Sequence, residues 1–500
     1  MISQFKVGAL ISYATIAFNI LSGLLYTPWM IACIGNDDYA LYTLVMSVIN
    51  FFMMDLGLGS AVSRFLSKYY AEGKREQANA FMGIVYWIYA FISFVVFILL
   101  FGVFLFSDSI YSTLTVEQME KFRLLYAIAA AYAVVSLPFA SFDGILVSNE
   151  RFVGMNLCNL FQKIATVLLI VVCLIFGSGV YALVVVNAAI GLLSLAIKGL
   201  IIIKSTDLRP RFGYWNASEA KNILGFSGWV MVSQICQRFI FSVMPSIIAV
   251  VSSTWQVTLF GLASSLEGYL WTVANAINGM FMPRVSQILE RDRSAEELQA
   301  FAIRMGRLQL YLVGLIVIGF ASMGGIFINC WVGLGYEPLY TCALLLFIPS
   351  LLELPQLVAG TAIIAAGEVR LKAIVFIAMA LVNVTLGLLF SRFFGAIGSC
   401  AAICIAYFVR TLGMDVVYHR RLGMRLASFF FSTYGSWVFP ALLTLLAGIL
   451  FRSFAISSGW LDLALGVAFV TSVYSSSMWL FSFNAYEKGL VVSIVRRVFR

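Results

Sequence analysis

Long apolar stretches are the dominant feature of this 500-residue sequence. About fourteen of them, each of roughly 20 or more residues, are separated by short charged segments. A bilayer with a hydrocarbon core of about 30 Å requires spanning helices of about this length. With 62% hydrophobic and 11% charged residues, the chain has too few charges for a water-soluble domain. The sequence therefore predicts an all-α polytopic membrane protein with spans near residues 7–34, 39–63, 81–106, 124–147, 157–177, 180–203, 223–251, 255–282, 308–331, 339–366, 373–391, 396–417, 431–451 and 461–481.

The basic residues between these stretches predict the orientation of the chain. Lysine and arginine accumulate on the cytoplasmic side of membrane proteins. A cytoplasmic amino terminus places the basic segments 64–75, 204–221, 284–307, 420–425 and 496–500 on that side and leaves only Lys121, Arg123, Arg392 and Arg452 on the other. This asymmetry predicts an even number of helices with both termini in the cytoplasm. The net charge of +9 is then a topology signal, and we expect no nucleic-acid partner.

Three landmarks recur along the chain with nearly one offset. Arg64 and Arg284, which are 220 positions apart, each follow a predicted helix. Pro28 precedes Pro245 by a similar distance, and the segment Asn149-Glu150-Arg151 resembles Gly367-Glu368-Val369-Arg370. Chance matching is one interpretation, and duplication of a six-helix unit is the other. Duplication predicts two lobes related by a parallel repeat around a central cleft, in segments 1–206 and 207–425, followed by two extra helices in 426–500.

Two sequence segments resemble a known family. Asp55-Leu-Gly-Leu-Gly-Ser-Ala-Val-Ser-Arg64-Phe in the second helix and Gly144-Ile-Leu-Val-Ser-Asn-Glu150-Arg151-Phe152 after the fourth are similar to oligosaccharide and polysaccharide flippases of the multidrug/oligosaccharidyl-lipid/polysaccharide exporter superfamily. The resemblance also covers chain length, helix count and duplication. It implies a polyprenyl-diphosphate-linked oligosaccharide as substrate, such as an O-antigen unit of lipopolysaccharide, that is flipped to the outer leaflet of a bacterial inner membrane.

The resemblance leaves the branch of the superfamily open, because it also contains cation-driven drug exporters and peptidoglycan-precursor flippases. The peptidoglycan branch places arginines inside its first two helices. Here the apolar part of the first helix has none, and the second helix ends on Arg64. This departure disfavours a peptidoglycan precursor as the substrate.

Charged residues inside the apolar stretches are the candidates for function, because a charge at the bilayer centre costs about 2.5–3.5 kcal/mol on insertion scales. Arg238 and Glu267 are equally far from the turn between helices seven and eight, which predicts a pair at one depth. One interpretation is a packing pair. The other is a cleft cation for the substrate diphosphate, which Glu267 neutralises when the site is empty. Lys163 and Arg64 are the further candidate cleft cations.

Three more carboxylates are candidates for charge pairing or ion coupling. Asp143 and Lys163 flank one cytoplasmic loop at similar distances, although lysine can also extend to the interface. Glu353 has no predicted partner and lies in Pro349-Ser-Leu-Leu-Glu353-Leu-Pro355, where the prolines should break helix ten and free carbonyl groups. It is either a proton or sodium site or a hydrogen-bonded structural residue. Asp55 is a local partner for Arg64 or a backbone cap.

The residues favour a secondary transporter over an enzyme. No phosphate-binding loop of the Gly-x-x-x-x-Gly-Lys-Ser/Thr type is present, and the eight cysteines lack metal-ligand spacing. We therefore expect no metal or cofactor beyond H⁺ or Na⁺ coupling, and alternating access of the lobes. The alternatives are a cation-coupled multidrug exporter and a membrane glycan polymerase or ligase. A flippase would have the glycolipid and the bilayer as partners, with polysaccharide polymerase machinery as a further possible partner.

Overall fold

The computed structural model describes residues 4–53, 58–214, 217–278, 281–289, 294–454 and 459–498. Regular secondary structure in these residues is entirely helical, which confirms the predicted all-α architecture. The α-helices are α1 (Gln4–Ile34), α2 (Asn36–Phe52), α3 (Leu58–Ala71), α4 (Arg75–Leu105), α5 (Ser107–Ile110), α6 (Val116–Ser136), α7 (Phe142–Ser148), α8 (Phe152–Ile175), α9 (Gly179–Ser205), α10 (Ala217–Val251), α11 (Thr254–Asn278), α12 (Phe281–Leu289), α13 (Ser294–Trp331), α14 (Glu337–Glu353), α15 (Leu357–Ala365), α16 (Val369–Leu422), α17 (Leu426–Phe454), α18 (Trp460–Ser477) and α19 (Ala485–Val498).

Within the described ranges, 11 helices are long and apolar enough to cross a membrane. This finding confirms a polytopic membrane protein. Two of the fourteen predicted spans are absent from this set. The span near 39–63 corresponds to α2 and α3, which are separated by residues 54–57, outside the described part of the chain. The other, near 255–282, corresponds to α11. The total of fourteen stays a prediction.

The 54-residue helix α16 contains two of the predicted spans. A straight helix of this length would extend about 80 Å, far more than a bilayer requires. The chain instead reverses at Gly395, whose φ of 55° and ψ of −130° are non-helical. As a result the Ser391 and Ser399 hydroxyls, eight residues apart, lie 2.6 Å from each other. Segments 369–394 and 396–422 are therefore the two predicted helices near 373–391 and 396–417.

The chain forms two compact units, which we call unit 1 (residues 1–261 and 376–402) and unit 2 (residues 262–375 and 403–500). In unit 1, α8 packs against α1 and α9, and a buried cluster joins α3, α4 and α7. Hydrogen bonds from Thr254 to the Asp37 carboxylate (2.7 Å) and from Thr258 to the Asn36 carbonyl (2.9 Å) hold the start of α11 to α2 within this unit. The division into 1–206, 207–425 and 426–500 stays a prediction.

In unit 2, one partly buried arginine joins α13 to the helices that follow the predicted repeat. The Arg307 guanidinium donates to both Glu487 carboxylate oxygens (2.6 and 3.0 Å), the Ser432 and Ser482 carbonyls, and the Ser436 hydroxyl. These five bonds use all five N–H donors of an arginine side chain. The set holds α19 against α13 and α17 in one geometry.

Corresponding helix breaks occur in the two predicted lobes. A 3₁₀ segment of residues 137–141 with Pro138 separates α6 from α7, and another of residues 354–356 with Pro355 separates α14 from α15. Pro138 and Pro355 are 217 positions apart, as are Pro28 and Pro245. The structure thus adds a further landmark to the predicted duplication. It also places the break of helix ten at Pro355, with Pro349 inside α14.

Candidate functional site

A buried group of charged and polar side chains lies in unit 2 next to the break after α14. We call it the unit 2 polar cluster, and it consists of Glu267, Glu353, Gln356, Arg410 and Asp415. Each of the five is at most 8% exposed. The break lies within the cluster, because α14 ends at Glu353 and the 3₁₀ segment that follows it ends at Gln356.

Arg410 and Glu353 form an ion pair between the helix segment 396–422 and α14. Arg410 also interacts electrostatically with Glu267 of α11, and its guanidinium lies 5.0 Å from the centre of the Tyr407 ring. Glu353 therefore has the partner that its sequence context did not reveal. The guanidinium thus contacts the Glu353 carboxylate directly and interacts with Glu267 electrostatically.

Asp415 is the third carboxyl group of the cluster. The Gln356 amide, the Tyr418 phenol and the Tyr434 phenol are its polar neighbours. Within the described residues, Asp415 Oδ1, Glu353 Oε2 and Gln356 Nε2 are buried without a hydrogen bond of acceptable geometry. Buried polar atoms without partners are uncommon in folded proteins, and each calls for a functional or chemical reason.

The second charged site lies in unit 1, where Lys198 of α9 contacts Asp143 of α7 at 2.7 Å. The lysine side chain is 8% exposed and the aspartate side chain is 52% exposed, so the carboxylate is on the surface whereas the ammonium is buried. The partner of Asp143 is thus Lys198. Lys163, which the sequence suggested for this role, is exposed on α8.

The remaining predicted site residues are dispersed. Arg238 is exposed on α10 in unit 1, whereas Glu267 is buried in unit 2, where its cationic neighbour is Arg410. Arg64 is exposed on α3. Asp55 lies outside the described residues. The roles assigned to these residues stay predictions.

The structure adds Arg410, Asp415 and Lys198 to the candidates. All three are ionisable residues inside long apolar helices, so the rule that singled out Glu353 applies to them equally. In the described part of the chain, no set of three or more His, Cys, Asp or Glu side chains has an arrangement that could hold a metal ion.

Comparison with known proteins identifies the family. Residues 33–341 match the family described as polysaccharide biosynthesis protein. The chain belongs to this family. Among curated proteins, none matches the chain by sequence.

Solved structures show the fold. The lipid II flippase MurJ in an inward closed conformation is similar with a TM-score of 0.70 and 13% identity, over 97% of this chain and 99% of that one. An inward-facing multidrug resistance transporter of the MATE family, of the MOP superfamily, is similar with a TM-score of 0.65 and 16% identity, over 83% and 98% of the two chains. The bent form of the Vibrio cholerae MATE transporter VcmN has a TM-score of 0.56 and 14% identity, over 86% and 100%. The family match confirms the predicted relation to polysaccharide biosynthesis proteins, and these similarities confirm the fold.

Proposed function

We propose that the protein is a secondary transporter that flips a polyprenyl-diphosphate-linked oligosaccharide from the cytoplasmic to the outer leaflet of a bacterial inner membrane. The observation that carries the proposal is the family match over residues 33–341 in a chain with the fold of known flippases and exporters. A lipid-linked repeat unit is the intermediate of polysaccharide biosynthesis that would need such a fold. The O-antigen unit of lipopolysaccharide is the substrate implied by the sequence resemblance.

The charges support a substrate with a diphosphate group. A diphosphate that crosses a low-dielectric region needs its negative charge matched, and arginine supplies a planar fork of donors that stays protonated in such a site. Arg238, Lys163 and Arg64 are exposed on helices of unit 1 and are our candidates for this contact. In an alternating-access cycle, substrate binding would shift the populations of the inward-open and outward-open states.

The test is leaflet-to-leaflet transfer in liposomes. A labelled polyprenyl-diphosphate oligosaccharide serves as the substrate, and a lipophilic cationic dye serves as the comparison. We expect transfer of the glycolipid and its loss in Arg238→Ala. Arg75→Ala is the matched control, because Arg75 forms an exposed ion pair with Asp207. Full transfer by a correctly inserted Arg238→Ala protein would remove Arg238 from the substrate site.

A cation-coupled multidrug exporter is the second candidate function. The similarity to MATE transporters and the three buried carboxylates of the unit 2 polar cluster favour it. An acidic interior attracts cationic drugs, whereas a basic one attracts a diphosphate. Transport of the dye without the glycolipid would establish the exporter in place of the flippase. A glycan polymerase or ligase has no such support.

A further inference from the structure

The unit 2 polar cluster contains more buried acid than base. Glu267, Glu353 and Asp415 contribute three carboxyl groups, and Arg410 contributes one guanidinium. If all four were ionised, the cluster would carry a net charge of −2 in an apolar interior. Burying uncompensated charge is so costly that a group in this situation binds a proton or pairs with a cation. The cluster must therefore hold at least one additional positive charge.

The three carboxyl groups differ in their access to Arg410. Glu353 forms an ion pair with it, and Glu267 interacts with it from α11. The groups around Asp415 are the neutral Gln356 amide beside the break after α14, Tyr418 of its own helix, and Tyr434 of α17. Asp415 is consequently the carboxyl group of the cluster for which the structure shows neither an ion pair nor an electrostatic interaction with a cation among the described residues.

We propose that Asp415 is a proton-binding site that is loaded and emptied once in each transport cycle. Its Oδ1 atom is buried without a hydrogen-bond partner in the described structure, as is Gln356 Nε2 beside it. A proton on one carboxylate oxygen neutralises Asp415 and leaves its other oxygen free to accept from the Gln356 amide. The site thus satisfies the chemistry of a carboxylic acid with one exchangeable proton.

The geometry favours a proton over a metal cation. A metal ion takes several oxygen ligands at once, and the described His, Cys, Asp and Glu side chains offer no set of three arranged for this purpose. The Arg410 guanidinium, which interacts with Glu353 and Glu267, also repels a second cation near these two carboxylates. A proton needs a single oxygen atom, which Asp415 provides.

Proton release would couple to the helices that enclose the site. Deprotonated (empty) Asp415 carries a negative charge that requires water or a hydrogen-bond donor, whereas protonated (loaded) Asp415 is neutral and can remain buried. The break at residues 354–356 interrupts the helix beside it, so that this segment can change position without disrupting a continuous hydrogen-bond ladder. Loading thus favours the enclosed arrangement and emptying favours one that admits water.

The coupling part of this inference rests on the proposed transporter function, but the proton site can be measured without transport. The first experiment records the infrared difference spectrum of the purified full-length protein in nanodiscs after a pH jump. We expect a carboxylic-acid C=O band that disappears in Asp415→Asn and persists in Asp207→Asn, a variant of an exposed aspartate. Persistence of the band in Asp415→Asn would overturn the proposal. Asp415→Glu keeps a carboxyl group and should retain a shifted band if the asparagine variant folds poorly.

The second experiment measures accumulation of the labelled glycolipid in the trans leaflet of liposomes under a pH gradient. One coupled proton per cycle predicts a tenfold change in the accumulation ratio for each pH unit, because one unit equals 1.36 kcal/mol. In Asp415→Asn the ratio should not respond to pH. Accumulation that is driven by a sodium gradient in the absence of a pH gradient in the wild-type protein would contradict the proposal. If the wild-type protein transfers no glycolipid, the proposed substrate is contradicted. The infrared experiment then tests the proton site at Asp415 by itself.

Discussion

Loss of Arg307 should clearly lower the stability of unit 2. Its side chain is 13% exposed and that of its partner Glu487 is 3% exposed. Removing one member of a buried ion pair leaves the other uncompensated and costs about 3–5 kcal/mol. We therefore expect Arg307→Ala to lower the thermal unfolding temperature in detergent clearly. Arg75→Ala breaks an exposed ion pair and should cost less than about 1 kcal/mol. Equal shifts in both variants would contradict this ranking.

The pairing of Lys198 can be tested against the pairing that the sequence suggested. Asp143→Asn should destabilise the protein because it leaves the Lys198 ammonium buried without its carboxylate. Lys198→Met added to Asp143→Asn should recover part of this loss, with a coupling free energy of about 0.5–3 kcal/mol in a double-mutant cycle. Lys163→Met is the matched control and should be additive with Asp143→Asn. Coupling to Lys163 in place of Lys198 would contradict the contact seen here.

These residues also show what the sequence could predict of the site. Insertion cost identified Glu267 and Glu353 as candidates, and both lie in the unit 2 polar cluster. Arg410 could not be predicted as their partner, because Glu353 and Arg410 are 57 positions apart in the sequence and no local spacing rule connects them. Similar depth in the membrane predicts that Lys163 pairs with Asp143. Depth alone does not determine the direction in which a side chain points around its helix. Partner choice therefore requires the packing of the helices.

At the scale of elements, the reversal inside α16 depends on Gly395. Its positive φ is accessible to glycine at little cost, and a Cβ atom there would lie 2.5 Å from Gln256 Oε1. That oxygen accepts the hydrogen bond of the Ala396 amide at 2.8 Å. We expect Gly395→Ala to destabilise the protein by about 1–3 kcal/mol in thermal or denaturant unfolding.

The control for this prediction is Gly435→Ala in α17. Among the described residues, no atom outside its own stretch of helix lies within 4 Å of the point that a Cβ atom would occupy, and the residue is exposed. Alanine is a better helix former than glycine by about 1 kcal/mol, so this variant should be neutral or more stable. A Gly395→Ala protein as stable as Gly435→Ala would show that the reversal does not need glycine.

Elements were the most predictable level of this molecule. Apolar stretches long enough to span a bilayer predicted the helices, and the prolines before residue 356 predicted the break after α14. The reversal at Gly395 was anticipated as a gap between two spans, because residues 391–396 interrupt the apolar run with polar and glycine residues. Helix ends shifted by several residues where polar turns continue a helix beyond the bilayer, as at the start of α13.

At the scale of the whole molecule, the orientation in the membrane is open to a direct test. The basic segments predict that the loop with Leu334, which is 82% exposed, faces outward, and that the loop with Glu72 faces the cytoplasm. In a background without its eight native cysteines, a cysteine at position 334 should react with a membrane-impermeant maleimide in intact cells. A cysteine at position 72 should react only after permeabilisation. The reverse pattern would invert the orientation, and reaction at both positions in intact cells would contradict the odd number of spans predicted between them.

The hydrogen bonds of Arg307 also have a consequence for biosynthesis. Its acceptors lie 125 to 180 residues further along the chain. At a synthesis rate of about 5–20 residues per second, the guanidinium waits roughly 9 to 36 seconds before all of them exist. During that interval α13 holds an uncompensated charge at the end of an apolar helix. The insertion machinery must therefore keep Arg307 in contact with water or with polar groups until residues 432–487 have been synthesised and unit 2 can fold around this side chain.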